Sequence, residues 1–423
     1  MSEHYDALET RDPAAREAAW MAALPAQVAA AQATAALRER LAGVDPAQVN
    51  SRAALAALPV TRKPELLARQ QAERATDPFG GFSAIGWRGI PPARGARRVF
   101  QSPGPIYEPE GHDPDYWRVA RAMYAAGFRA GELVHSSFSY HLTPAGSMME
   151  TGAHAIGCTV FAGGVGNTEL QLQAVQELRP HAYAGTPSFL RILFEKADEA
   201  GVALPSLTKA LVSGEAFPPS LRDALRARGV EAYQAYATAD VGLIAYETAA
   251  REGLVLDEGV IVEIVRPGTG DPVPAGEVGE VVVTSLNPAY PLVRFGTGDL
   301  SAVLPGPCST GRTNTRIRGW MGRADQTAKV RGMFVHPGQV AEVLRRHPEV
   351  GRGRLVVEGE MANDRMTLHA ECAGAPDNAP EGLAAALAGS IRDVTKLRGE
   401  VRLVAPGSLP NDGKVIEDAR RYD

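Results

Sequence analysis

The feature that most constrains this chain is an alternation between about residues 113 and 250. Helical spacing in "PDYWRVARAMYAAGF" precedes the strand-like "ELVHSSF", and "ELQLQAVQEL" precedes "HAYAG". "PPSLRDALRARG" sits between "KALVSG" and "VEAYQAYA". Strand and helix in turn predict α/β layers around a largely parallel sheet, because parallel neighbours need a crossover and a helix is the usual one. From 255 to 304 the texture changes to short apolar runs punctuated by glycine and proline, "GVIVEIV", "GEVGEVVVTSL" and "PLVRFGTGDL". These predict a small antiparallel sheet or barrel. After Arg323, strand "QTAKVRG", helix "PGQVAEVLRRHP", strands "GRLVVEGE" and "RMTLHAEC", helix "EGLAAALAGSIRDVTK" and strand "EVRLVA" predict a compact α+β unit with a polar tail.

At 423 residues the chain is too long for one ordinary core. The predicted division is 1–322, a large N-terminal domain of α/β layers plus a β subdomain, and 323–423, a small C-terminal α+β domain. Ahead of the alternation, residues 14–43 and "KPELLARQQAER" read as helices, and the Gly/Pro-rich stretch from Asp77 to Gly111 reads as loop.

A net charge of −5 gives no electrostatic case for nucleic acid or an anionic membrane surface. No apolar run approaches the roughly 20 residues of a membrane helix. The acidic start "MSEHYDALETRDPAAREAAW" is unlike a secretory signal, so a cytoplasmic protein is expected. Cys158, Cys308 and Cys372 are too widely spaced for a disulfide framework or a metal cluster.

Chemistry enters with seven short elements in order: "GNTELQLQ" at 166, "GTPSFL" at 185, "VSGEAFPPSL" at 212, "AYATADVGL" at 235, "PLVRFGTGDLS" at 291, "GRADQTAKVRGMFVHPGQVAEVL" at 322 and "GSLPNDGKV" at 407. A lone Thr-Gly-Asp is a weak signal. Seven elements in order over about 250 residues resemble the adenylate-forming acyl-CoA synthetase superfamily and, more narrowly, the phenylacetate–CoA ligase family. The likeness runs from the N-terminal "LPVTRKPEL" almost to the end of the chain.

That resemblance implies two half-reactions. An organic acid attacks the α-phosphate of ATP, giving acyl-adenylate and pyrophosphate; the small mobile domain then turns, and coenzyme A displaces AMP. It implies that Asp299 holds the ribose hydroxyls, a task suited to a carboxylate because charge-assisted bonds are the stronger kind. Ser213, Gly214, Glu215 and Ala216 match the backbone against adenine, and Tyr236 the tyrosine that covers it. Arg323 matches an arginine near ribose and phosphate. Asp325 matches the hinge and Lys414 the lysine of the adenylation step. Phe138, Tyr140, Gly164 and Pro187 fall where the family's aryl pocket lies. Asp240 stands where the family has a glutamate tied to Mg²⁺, one methylene shorter. ATP, AMP, Mg²⁺ and coenzyme A are the implied cofactors and a small carboxylic acid the substrate. Homodimerisation is the family's habit.

The phosphate loop departs from the pattern. The family reads roughly Ser-Ser-Gly-Thr-Thr-Gly-Lys-Pro, whereas here the region is "QSPGPIYEP". Pro103 and Pro105 have no N–H to give a phosphate, and Glu108 stands about where the lysine would be. Ser102 and Gly104 are the remaining donors. Cys308 lacks a second cysteine two residues on, so no zinc is expected. An active ligase with an altered ATP grip is one expectation. A paralogue that binds adenylate or acyl-CoA without activating the acid is another. A transfer or hydrolysis enzyme fed a preformed adenylate or thioester is the third.

Overall fold

A computed structural model describes the chain apart from residues 1–2, 89–94, 267–268, 322, 325–327, 332, 336, 360–363, 377, 411–413 and 421–423. It divides into two compact units, Met1–Gly322 and Arg323–Asp423.

The first unit is built on a nine-stranded sheet. Five parallel strands form one half, in the spatial order Thr159–Ala162, Leu133–Ser136, Ala182–Gly185, Lys209–Val212 and Glu231–Thr238. Helices Ala145–Ala155, Thr168–Leu178, Pro187–Glu199 and Pro219–Ala227 carry the chain between them. The central strands read as continuous apolar runs because both faces are covered: every residue of Ala182–Gly185 is buried. The other half is antiparallel, through Gly242–Glu247, Leu254–Leu256, Arg316–Ile317 and Val303–Leu304.

The β-textured stretch divides between two sheets rather than closing into one barrel. Leu254–Leu256 and Val303–Leu304 join the large sheet. Val260–Val265, Gly279–Ser285 and Phe295–Ser301 form a four-stranded sheet, completed by a parallel strand from the N-terminal region, Thr61–Arg62. The pairing of Thr61 with Phe295 sets the start of helix Lys63–Glu73, with Pro64 in its first turn where a missing N–H costs nothing.

Two other expectations are corrected. Only Ala120–Ala125 of the stretch around 115 is helical, because the Asp115 carboxylate accepts from the N–H groups of Val119 and Ala120 at 2.9 and 3.0 Å and fixes the helix start there. Within 77–111, read as loop, strands Arg98–Ser102 and Ile106–Glu110 pair as a hairpin, with Pro103 and Pro105 confined to its tip.

The second unit is an α+β sandwich with its own apolar core. Its four-stranded sheet runs Glu400–Val404, Arg365–Cys372, Val350–Glu358, Ile416–Asp418, with helices Pro337–Arg345 and Leu383–Thr395 packed against each other. The tail expected to be simply polar supplies a strand: Ile416–Asp418 runs parallel to Leu355–Val357. Among the described residues no helix is long and apolar enough to cross a membrane.

Candidate functional site

In open α/β sheets ligands settle beyond the carboxyl ends of the parallel strands, and most of the singled-out residues of the first unit lie at that edge. Asp299 arrives there from the neighbouring sheet by a bulge. Register runs from Glu280↔Leu300 to Val282↔Gly296, so two steps on one strand meet four on the other. Thr297, Gly298 and Asp299 face Val281 alone, and Gly298 takes φ +75°, a left-handed value that favours glycine. Thr297 Oγ1 donates to the Val281 carbonyl at 2.9 Å and accepts from the Asp299 N–H at 3.1 Å. Gly296 is glycine for want of room, since a Cβ would lie 2.7 Å from the Glu280 carboxylate, which Arg62 holds.

Asp299 is buried, 7% exposed, and both its oxygens are engaged. The Tyr236 hydroxyl donates to Oδ2 at 2.9 Å and Trp320 Nε1–H to Oδ1 at 3.2 Å. Two of the residues singled out, Asp299 and Tyr236, are thus brought together, and Trp320 joins them. Sequence reasoning misses Trp320; its signal is a tryptophan in "RGWMGRAD", just ahead of Arg323.

Ser213 follows the end of Lys209–Val212, with its hydroxyl donating to the Ala235 carbonyl at 2.7 Å, next to Tyr236 in the chain. Gly214, at φ +81°, and Glu215 are exposed, and Ala216 is half-buried. This turn therefore presents backbone on the side where Tyr236 stands.

The acid-pocket candidates gather at the ends of three adjacent strands. Ser136 ends Leu133–Ser136; its carbonyl accepts from Gly164 N–H at 3.0 Å, and Ser137 N–H donates to the Ala184 carbonyl at 2.8 Å. Gly164 has φ +70° with open space where a Cβ would stand. Phe138 is buried, and Pro187 opens helix Pro187–Glu199 under a Thr186 cap. The Tyr140 ring lies against Gly146, where a Cβ would come within 3.0 Å of it. Its phenol is pushed up to about 12, chiefly by burial, with the Ser136 hydroxyl as a neighbour pulling the other way. Behind this edge Gln171 braces the loop: Nε2 donates to the carbonyls of Gly164 and Gly166 at 2.9 and 2.7 Å, and Oε1 lies 2.6 Å from His135 Nε2. With Nε2 of Gln171 spent as a donor, His135 must donate from Nε2. Burial holds that imidazole below its ordinary value, against the Gln171 bond.

The expected Mg²⁺ ligand is placed differently. The Asp240 side chain is fully buried and its near cation is an ammonium, Lys63 Nζ, 2.6 Å from Oδ2. Among the described residues no group of three His, Cys, Asp or Glu side chains is arranged to hold a metal ion. Asp240 is committed to Lys63, brought in by the Thr61–Arg62 pairing. Tied to that ammonium, the Asp240 carboxylate is not offered as an open ligand to Mg²⁺. The two phosphate-loop donors fare unequally. Ser102 N–H and Oγ both donate to the Glu108 carboxylate, the former at 3.2 Å, whereas Gly104 sits at the hairpin tip.

In the second unit Lys414 is exposed and lies two residues before strand Ile416–Asp418. The segment leading to it is held: Leu409 N–H donates to Glu371 Oε1 at 2.9 Å, and Arg352 and Arg354 donate to the Pro410 carbonyl at 3.0 and 3.2 Å. Backbone donors from Leu409 and Gly407 keep the Glu371 carboxyl below its ordinary value. Arg323 opens this unit and is half-buried. Asp325 lies outside the described residues.

Comparison with known proteins bears on this arrangement. The family of AMP-binding enzymes matches residues 119–289, and the AMP-binding enzyme C-terminal domain matches 332–420. The phenylacetate–coenzyme A ligase of Thermus thermophilus is 32% identical over 346 residues, 78% of this chain and 75% of that one. This chain belongs to the phenylacetate–coenzyme A ligase family of AMP-binding enzymes. The Pseudomonas putida phenylacetate–coenzyme A ligase is 29% identical over 400 residues, covering 89% of this chain and 87% of its own. A solved 2-hydroxyisobutyryl-CoA ligase, in complex with its acyl-AMP and CoA in the thioesterification state, superposes with a TM-score of 0.80 at 25% identity, covering 100% of this chain and 93% of that one. The 119–289 match begins after the Arg98–Glu110 hairpin, whereas the 89% of this chain matched by the Pseudomonas putida ligase takes it in.

Proposed function

We propose that this protein is an acid–CoA ligase that joins a small carboxylic acid, aryl or short aliphatic, to coenzyme A by way of an acyl-adenylate. The observation that carries the reading is the Asp299 bulge: a buried carboxylate delivered beside Tyr236, at the edge where α/β sheets take their ligands.

In the first half-reaction a carboxylate oxygen of the acid attacks the α-phosphorus of ATP and pyrophosphate leaves. Asp299 accepts from the ribose hydroxyls. The exposed backbone of Gly214 and Glu215 lies against one face of adenine, and Tyr236, steadied through its hydroxyl, covers the other. Lys414 brings a positive charge to the oxygens of the acid and the α-phosphate as negative charge builds between them. Phe138, Tyr140, Gly164 and Pro187 hold the body of the acid. Arg323 acts near ribose and phosphate. In the second half-reaction the small unit turns about Asp325, the coenzyme A thiolate attacks the acyl carbon, and AMP leaves as the C–O bond breaks.

Acid-dependent exchange of pyrophosphate into ATP, across a panel of aryl and short aliphatic acids with Lys414→Ala as the blank, tests this reading. Exchange above the blank with one class of acid names that class. AMP binding without exchange for any acid would instead favour a protein that receives its adenylate ready-made.

A further inference from the structure

The hairpin that stands where the family has its phosphate loop carries an acidic side chain of its own. Ser102, 7% exposed, turns both its donors onto Glu108, N–H to Oε2 at 3.2 Å and Oγ to Oε1, and Glu108 is fully buried. Asp240, its side chain also fully buried, interacts with Glu108, and Lys63 Nζ lies 2.6 Å from Asp240 Oδ2. Two buried carboxylates therefore draw on one ammonium. Burial first, then Asp240, pushes the Glu108 carboxyl well above the ordinary range, while Ser102 and Lys63 pull it back.

A phosphate is held by converging N–H and O–H donors. At this tip Pro103 and Pro105 supply none, and Ser102's are taken. We propose, on the adenylate-forming reading above, that Glu108 sets the nucleotide preference of this protein by holding the Ser102 donors that a phosphate oxygen of ATP would need. ATP must displace a buried carboxyl group from those donors or bind without them. AMP and acyl-adenylate, which lack the β- and γ-phosphates, escape the competition. Glu108 thus makes the protein favour the intermediate over the nucleotide that feeds it.

Calorimetric titration of ATP and of AMP onto the wild-type chain, Glu108→Gln and Glu108→Ala tests this, with thermal melts to confirm folding. The ratio of ATP to AMP affinity is expected to rise roughly tenfold or more in both variants, the scale of a hydrogen bond to a charged group, with AMP affinity unchanged. An unchanged ratio in both, with AMP still bound, would overturn the proposal and leave the adenylate reading standing. Loss of AMP binding in every form, wild type included, would end both. The wild-type protein alone gives a second check that no misfolding can obscure: ATP is expected to bind no tighter than AMP, and a tenfold preference for ATP would refute the role of Glu108.

Discussion

Replacing Asp299 by alanine separates a ligand-holding carboxylate from a merely structural one. The side chain is 7% exposed, accepts from Tyr236 and Trp320, and rides on a bulge already closed by Thr297. Its loss to folding is small. The Tyr236 hydroxyl keeps Thr297 Oγ1 at 3.2 Å, and Trp320 is 41% exposed, so its N–H reaches water. The expected cost in stability is about 1 kcal/mol or less, partly offset because a buried charge is removed. The loss to binding is larger. Two ribose hydroxyls each forfeit a bond to a charged acceptor, together about 2–4 kcal/mol, or about thirtyfold to several hundredfold in AMP affinity. Asparagine, which keeps the shape and one carbonyl acceptor, falls between. Calorimetry with AMP read beside urea denaturation of the same samples gives both quantities. Unchanged AMP affinity in a folded Asp299→Ala protein would refute the ribose-holding role. Affinity and stability falling together by similar amounts would mean the carboxylate holds the bulge rather than the nucleotide.

Lys414→Ala is expected to abolish pyrophosphate exchange while sparing attack of coenzyme A on a supplied acyl-adenylate; equal loss of both steps would contradict its assignment to the first. Lys63→Met strands the buried Asp240 carboxylate and should lower unfolding free energy by about 1–3 kcal/mol, below the usual figure for a buried pair because Lys63 is partly exposed. Adding Asp240→Asn should recover part of that loss in urea melts, and a strictly additive double variant would refute the pairing. Burial raises the Asp115 carboxyl to about 6 from an unfolded value of 3.8. The folded state therefore binds this proton more tightly, and the contribution to stability is full below about pH 3.8 and fades as pH rises through 6. Asp115→Asn should remove that component, seen as a flatter stability profile between pH 4 and 6 than the wild type gives.

What is legible in the sequence, and what is not, follows from how far apart the interacting residues lie along the chain. The α/β half is legible because each strand and its crossover helix are neighbours, and burial on both faces writes continuous apolar runs at 182–185 and 210–212. Asp299 stands out because the glycines ahead of it mark a backbone departure that the bulge indeed uses. Lys63 is one letter of "LPVTRKPEL". Nothing near it shows that Thr61 pairs with Phe295, more than two hundred residues on, and it is that pairing which sets the ammonium against Asp240. The hairpin misleads in another way. Its prolines and glycine read as loop, yet five residues on each side of the tip pair regularly, from Arg98 with Glu110 to Ser102 with Ile106. From the sequence, Glu108 reads as a charge that would repel phosphate from a distance. Cross-strand geometry puts it within reach of Ser102, so its effect on ATP is direct competition for named donors. A repelling charge would weaken as salt is added, because solvent ions screen it; a carboxylate that already holds the donors would not. The ATP-to-AMP affinity ratio, measured from low to high ionic strength, distinguishes the two, and a ratio that climbs steeply with salt would return Glu108 to the lesser role.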